Sequence, residues 1–211
     1  MLNNLRPALA RLLTPVGETL ARTPVTPNAL TVTGTVGVSG ATLGLFPAGQ
    51  LFAGAAVATV FVFTDMLDGM LARVKGTSGP WGAFLDSTLD RVGDASVFSG
   101  LVLWFMLGGR NHLLAGVALY CLVAGLLTSY VKARAEGAGL RCDVGWVERP
   151  ERLLIGLTSA GLSGLGVPYI LAIGLWALAA GSTITLWQRM RSVYLDATAR
   201  ADRAKRDRAN A

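Results

Sequence analysis

Apolar residues in this chain neither alternate nor scatter. They gather in stretches of about twenty, the length a helix needs to cross roughly 30 Å of hydrocarbon. "LFAGAAVATVFVF" (51–63) and "VFSGLVLWFMLGG" (97–109) belong to two of them. A segment in a bilayer must satisfy its own backbone, so only helices and closed barrels cross. A barrel would show short alternating strands. Here there is no clear alternation, and Ala, Leu and Gly dominate. Of the 211 residues 52% are hydrophobic and 15% charged, against about a quarter charged in a soluble domain. The sequence reads as an all-α integral membrane protein with one helical domain.

Six spans are expected, at about 28–47, 51–75, 81–108, 112–135, 151–166 and 168–190. They form one membrane domain over residues 1–195, followed by a polar C-terminal tail, 196–211, expected to be a frayed helix or disordered. Within 1–24, Leu5, Ala8, Leu9, Leu12 and Leu13 recur at helical spacing opposite Arg6 and Arg11. That suits an amphipathic helix on the membrane surface, and equally a short cap helix. All but two of the 19 Lys and Arg fall on one side of such a bundle. The exceptions are Arg91, inside a span, and Arg110. The positive-inside rule makes that side cytoplasmic, with both termini there, in the cell membrane. The net charge of +6 is then an orientation signal that also favours anionic lipid headgroups. It needs no nucleic acid.

Within this apolar setting stand four carboxylates. Asp65 and Asp68 are three residues apart, Asp86 and Asp90 four apart, and each spacing puts the pair on one helix face. The second and third spans, joined by a short loop, are expected to be antiparallel neighbours, so that the two faces meet near the cytoplasmic end. Four bare carboxylates would repel and take up protons. A divalent cation removes that conflict, and Mg²⁺ and Mn²⁺ prefer such oxygen ligands. Paired ions are a recurring device for phosphoryl transfer. The plain alternative is a polar vestibule, or ion pairs with Arg73 and Arg91. Gly69 and Gly82 would let a ligand approach closely, or simply let helices pack. Two cysteines make no zinc site, and the single histidine, His112, is far in sequence from the aspartates.

Asp65-x2-Asp68-Gly69-x2-Ala72-Arg73-x8-Gly82-x3-Asp86-x3-Asp90 resembles the full motif of the CDP-alcohol phosphotransferase family. The resemblance implies a six-helix membrane homodimer with a cytoplasm-facing site and a divalent metal, Mg²⁺ or Mn²⁺. It implies transfer of a phosphatidyl-type group from a CDP-linked lipid, such as CDP-diacylglycerol, to an alcohol, releasing CMP. By the same resemblance, Asp65, Asp68 and Asp86 hold one metal ion, and Asp65, Asp86 and Asp90 hold or approach a second. Asp90 is also the general base. Gly69, Ala72 and Arg73, with Gly79 and Gly82, line the CDP-lipid site. Asn28, Ala29, Leu30 and Thr31, in "TPNALT", touch the CDP-lipid. From the residues alone that stretch is a helix start, with Thr26 as cap and Pro27 in the first turn. Asp94, one turn past Asp90, lies outside the motif and reads as a vestibule or packing residue.

The basic residues Lys132, Arg134, Arg149, Arg152, Arg189 and Arg191 flank the last three spans. They could converge on one cavity, and arginine binds phosphate in bidentate fashion. The positive-inside rule alone would also put cations there. "SYVKARAE", "ERPERL" and "QR" resemble family members whose acceptor is 1D-myo-inositol 3-phosphate. On that resemblance Lys132, Arg152 and Arg189 bind the acceptor phosphate. Glycerol 3-phosphate also carries a phosphate and stays open as the acceptor. An ion carrier using the acidic cluster would need a route to the far side, yet the far halves of the spans hold no Asp, Glu or Lys.

Overall fold

The computed structural model describes Thr19 and residues 22–209, apart from the side chains at positions 65, 66, 204 and 209. Most of the segment expected to form an amphipathic helix, 1–24, lies outside the described residues. Among those described, every regular element is a helix. The order is α1 (Pro27–Leu45), α2 (Leu51–Val74), α3 (Pro80–Leu107), α4 (His112–Gly137), α5 (Arg149–Gly164) and α6 (Ile170–Ala209).

The starts are set by local chemistry. The Thr26 side chain accepts from Ala29 N, and Pro27 takes the first turn of α1. The Asn111 side chain caps α4 by accepting from Leu114 N at 3.1 Å. Pro80 and Pro150 sit in the first turns of α3 and α5, where the missing N–H is not needed.

By length and composition α2, α4 and α6 can each cross a membrane. The others differ for visible reasons. α3 carries Asp86, Asp90, Arg91 and Asp94, α5 has only 16 residues, and α1 is rich in Thr and Gly. These helices put their polar groups inside the bundle: Thr31, Thr35, Asp94, Ser96, Arg152 and Ser159 are all buried. The tail expected from 196 onward continues α6 without a break to Ala209, supported by an Asp196–Arg200 pair at 2.8 Å.

One expectation about packing needs correction. Among the described residues α2 and α3 are not packed extensively against each other. α1 packs extensively on both, and α5 packs on α2 and α6. Small residues on α1 let it serve as the wedge. A methyl group added at Gly37 would fall 2.4 Å from the Phe61 ring of α2, and one at Gly100 of α3 would fall 2.4 Å from the Thr42 carbonyl oxygen of α1. The Ser39 and Ser96 hydroxyls bond across α1 and α3 at 2.8 Å. The core beneath is formed by Phe46, Phe98, Leu101, Leu175 and Leu178, all fully buried.

Candidate active site

The wedge position of α1 determines how the carboxylates are presented. Its first turns lie between the aspartates of α2 and the start of α3. The Thr31 hydroxyl donates to Asp68 Oδ2, and both side chains are buried. Asn28 Oδ1 would lie 3.7 Å from a methyl group added at Gly82 of α3. So the "NALT" stretch touches both halves of the motif. Asn28 and Ala29 are exposed, Leu30 is partly exposed and Thr31 is buried. Arg73 is exposed at the end of α2, with Ala72 half-buried beside it. Lys75, just beyond, donates to the carbonyls of Thr23 and Val25, both at 2.8 Å, and so ties the chain entering α1 to the end of α2.

The glycines separate into two kinds. A methyl at Gly100 or at Gly164 would strike backbone, at 2.4 Å and 2.3 Å respectively, so these glycines exist for helix packing. A methyl at Gly69 or Gly79 would meet nothing within 4 Å. Among the described residues no protein atom occupies the space at Gly69 and Gly79, so helix packing does not require glycine there and a ligand has room to approach.

Asp86 is half-buried, and Asp90 is 14% exposed at its side chain. Asp90 faces α5: Arg149 Nη1 lies 2.7 Å from its Oδ1, and Arg91 Nη1 lies 3.4 Å from its Oδ2. Among the described residues no three Asp, Glu, His or Cys groups gather closely enough to hold one ion. The Asp65 side chain, which belongs to the expected ligand set, is not among them. In chemistry the donor set Asp65, Asp68, Asp86 and Asp90 is all carboxylate oxygen, which suits Mg²⁺ or Mn²⁺.

A second group of charges lies beside the first. Asp94 is buried. Its Oδ2 accepts from Arg152 Nη2 at 2.7 Å and its Oδ1 from Arg149 Nε at 3.3 Å. Arg152 Nη1 reaches the Thr128 hydroxyl at 3.4 Å, and Arg189 Nη1 donates to the Thr128 carbonyl at 2.6 Å. Arg189 also donates from Nε to the Val144 carbonyl at 2.9 Å and from Nη2 to Glu148 at 3.3 Å. Arg152 and Arg189 thus meet on one residue of α4.

Lys132, one turn further along α4, is 37% exposed at its side chain, near Glu136 at 3.9 Å and Asp143 at 3.8 Å. Cys142 is buried in the loop between α4 and α5. Burial pushes its thiol pKa up, and the Arg189 and Lys132 charges pull it the other way. Asp143 and Glu136 push it up again.

The α4–α5 loop is fastened onto α6. Arg141 N donates to Asp196 at 3.0 Å, and Trp146 N and Val147 N both donate to the Thr185 hydroxyl. Gly145 holds φ +146°, and a methyl there would fall 2.7 Å from Thr185 Cγ2. The turn over Arg189 therefore requires glycine.

Sequence reasoning missed Thr128 and Glu148, gave Asp94 no role in the site, and counted Arg149 among the cations that could converge there without choosing it as a ligand. The available signal was periodic: Asp94 is four residues past Asp90, and Arg149 and Arg152 are three apart, so each pair shares a helix face.

The CDP-alcohol phosphatidyltransferase family model matches residues 24–189. The chain is 46% identical over 206 residues to the phosphatidylinositol phosphate synthase of Streptomyces avermitilis, covering 94% of this chain and 84% of that one. It is 46% identical over 192 residues to the enzyme of the same name from Mycobacterium tuberculosis H37Rv, covering 90% and 88%. Among solved structures, the crystal structure of M. tuberculosis phosphatidylinositol phosphate synthase with CDP-DAG bound superposes with a TM-score of 0.83 at 46% identity, covering 87% of this chain and 94% of that one. The structure of that enzyme with manganese and citrate gives 0.82 at 46% identity, covering 86% and 88%.

Proposed function

This chain belongs to the CDP-alcohol phosphatidyltransferase family, and from that premise we propose that it transfers the phosphatidyl group of CDP-diacylglycerol to 1D-myo-inositol 3-phosphate. The products are phosphatidylinositol phosphate and CMP. One observation carries the reading: the aspartates of α3 and a buried arginine group stand side by side, joined through Arg149, which reaches both Asp90 and Asp94. The first suits a diphosphate with its metal, the second a phosphorylated alcohol. The 46% identity to synthases of that name supports the choice of acceptor.

The residues divide the work. Arg73 and the cleft at Gly69, Ala72, Gly79 and Gly82 receive the CDP-lipid, with Asn28 to Thr31 at its edge. Arg152, Arg189 and Lys132 hold the acceptor's phosphate, so that its hydroxyl faces the lipid-side phosphorus. Such positioning supplies much of the rate in phosphoryl transfer. Asp90 takes the hydroxyl proton. The new P–O bond forms to the acceptor oxygen, and the bond to the CMP oxygen breaks. Asp65, Asp68, Asp86 and Asp90 would hold two divalent ions, Mg²⁺ or Mn²⁺, which when bound offset the negative charge of the diphosphate. The protein would sit in the cell membrane as a homodimer, with the site and both termini cytoplasmic.

The test is CMP release by purified protein with CDP-diacylglycerol and Mg²⁺, offered inositol 3-phosphate, free inositol or glycerol 3-phosphate. Release with inositol 3-phosphate alone is expected. Release with glycerol 3-phosphate alone would keep the aspartate chemistry and overturn the acceptor. Silence with all three, from folded protein, would overturn the proposed reaction.

A further inference from the structure

We infer that Asp94 is a positioning residue for the acceptor site and that Arg149 couples it to Asp90. The inference rests on the proposed reaction and deepens it. Asp90 and Asp94 are one turn apart on α3, and Arg149 and Arg152 one turn apart on α5, so the two pairs face each other rung by rung. Arg149 spans both carboxylates, at 2.7 Å from Asp90 and 3.3 Å from Asp94. Asp94 in turn spans both arginines, with Arg152 at 2.7 Å.

Charge explains why an acid must stand here. Arg152 and Arg189 are both buried and share Thr128. Two guanidinium groups brought together out of water repel, and each needs a partner. Glu148 serves Arg189. Asp94 serves Arg152, and at 6% side-chain exposure it is held far more deeply than Glu148.

Arg152 is buried and lies against Gly125 of α4. A methyl at Gly125 would come within 3.2 Å of its Nε. With Asp94 in place, the guanidinium is fixed before any ligand arrives, which lowers the ordering cost of binding. The same carboxylate fixes Arg149, and with it the face that Asp90 presents. Asp94 touches neither substrate. It acts through the two arginines.

The test compares wild type with Asp94→Asn in detergent, titrating each substrate separately. The KM for the phosphorylated acceptor should rise about tenfold, the scale of one lost charge-assisted hydrogen bond, while the KM for CDP-diacylglycerol stays within about twofold. A merely structural ion pair would weaken both equally or neither, and either result overturns the inference. If Asp94→Asn does not fold, Asp94→Glu keeps the charge but displaces it by one methylene and should show the same selective rise. Failure of both to fold would make Asp94 a folding residue and overturn the positioning role. Arg149→Gln should lower kcat at saturating substrates, and an unchanged kcat would break the coupling to Asp90.

The wild-type acceptor series separates this inference from the reaction it rests on. Should wild type prefer glycerol 3-phosphate, the acceptor assignment fails and the same titration is made with that phosphate. Should wild type be inert, the reaction fails, and thermal protection of the folded protein by inorganic phosphate becomes the readout. Protection should be weaker in Asp94→Asn, and equal protection would overturn the inference.

Discussion

Between α4, α5 and α6, buried charges are met by protein: Arg189 has two carbonyls and Glu148, and Arg152 has Asp94 and Thr128. Between α2 and α3 the lining is different. Gly69 and Gly79 meet no atom of the described residues, and Arg73 is exposed. The arginine side is built before a ligand comes, and the carboxylate side leaves room for one. A preformed cation group suits a small, rigid phosphate that must be aimed. An open, glycine-lined face suits a large diphosphate lipid that enters from the bilayer. The two sides should therefore respond differently to damage: substitutions in the cleft cost activity, and substitutions in the arginine group cost stability as well.

The largest expected effect is at the cleft. Asp90→Asn keeps size and shape but cannot take the proton, so kcat should fall by about 10²–10⁴-fold with thermal stability little changed. Steady-state CMP release and a melting curve on the same preparation check it. A loss of activity matched by a loss of folded protein would place Asp90 with the structural charges and collapse the contrast.

Arg189→Ala comes next, on the other side. It removes donors from the buried Thr128 carbonyl and the more exposed Val144 carbonyl, and takes its cation from Glu148. The cost should be about 2–4 kcal/mol of stability, read as a lower denaturation midpoint, together with a weaker acceptor KM. Arg73→Ala is the control. It is exposed, so only activity should change. If Arg189→Ala melts like wild type, the arginine group is not preformed.

The glycines give a smaller and sharper test. Gly100→Ala puts a methyl 2.4 Å from a backbone oxygen, and overpacking of this kind costs about 1–3 kcal/mol. Gly69→Ala meets no atom of the described residues within 4 Å and should leave stability intact while raising the KM for CDP-diacylglycerol. Equal effects from both would erase the distinction between packing glycines and cleft glycines.

This contrast also marks where the sequence could be read and where it could not. The aspartates at helical spacing and the basic helix ends were legible because each is a pattern within one helix. Five of the helices lie within a few residues of the expected spans, since apolar length is a local property, whereas α6 runs on past 190 through the polar tail to Ala209. What could not be read was pairing across the bundle. A short loop suggested that α2 and α3 touch, but small residues on α1 let that helix come between them, and no periodicity within α2 or α3 records it. Asp94 looked idle because its partners, Arg149 and Arg152, are 55 and 58 residues away. Gly69 and Gly100 look alike as letters. Only the space around them tells one from the other.

The smallest effect tests whether Lys132 belongs to the arginine side at all. It is the most exposed of the three proposed phosphate ligands and pairs only loosely with Glu136 and Asp143. Cys142 reports on it. Burial holds the thiol pKa above its ordinary value of 9.0, and Arg189 and Lys132 both oppose that rise. The thiol should thus stay protonated and slow to alkylate at neutral pH, reacting only as pH climbs past that value. The folded state holds this proton more tightly than the unfolded chain, so the contribution to stability is present below the unfolded pKa and lost as pH rises through the folded one. Removing a nearby cation must push the thiol pKa further up. In a Cys121→Ala background, Lys132→Ala should therefore slow alkylation of Cys142 at a fixed alkaline pH by a few-fold, since each unit of pKa is tenfold in thiolate. An unchanged rate would remove Lys132 from the group and leave the acceptor phosphate to Arg152 and Arg189.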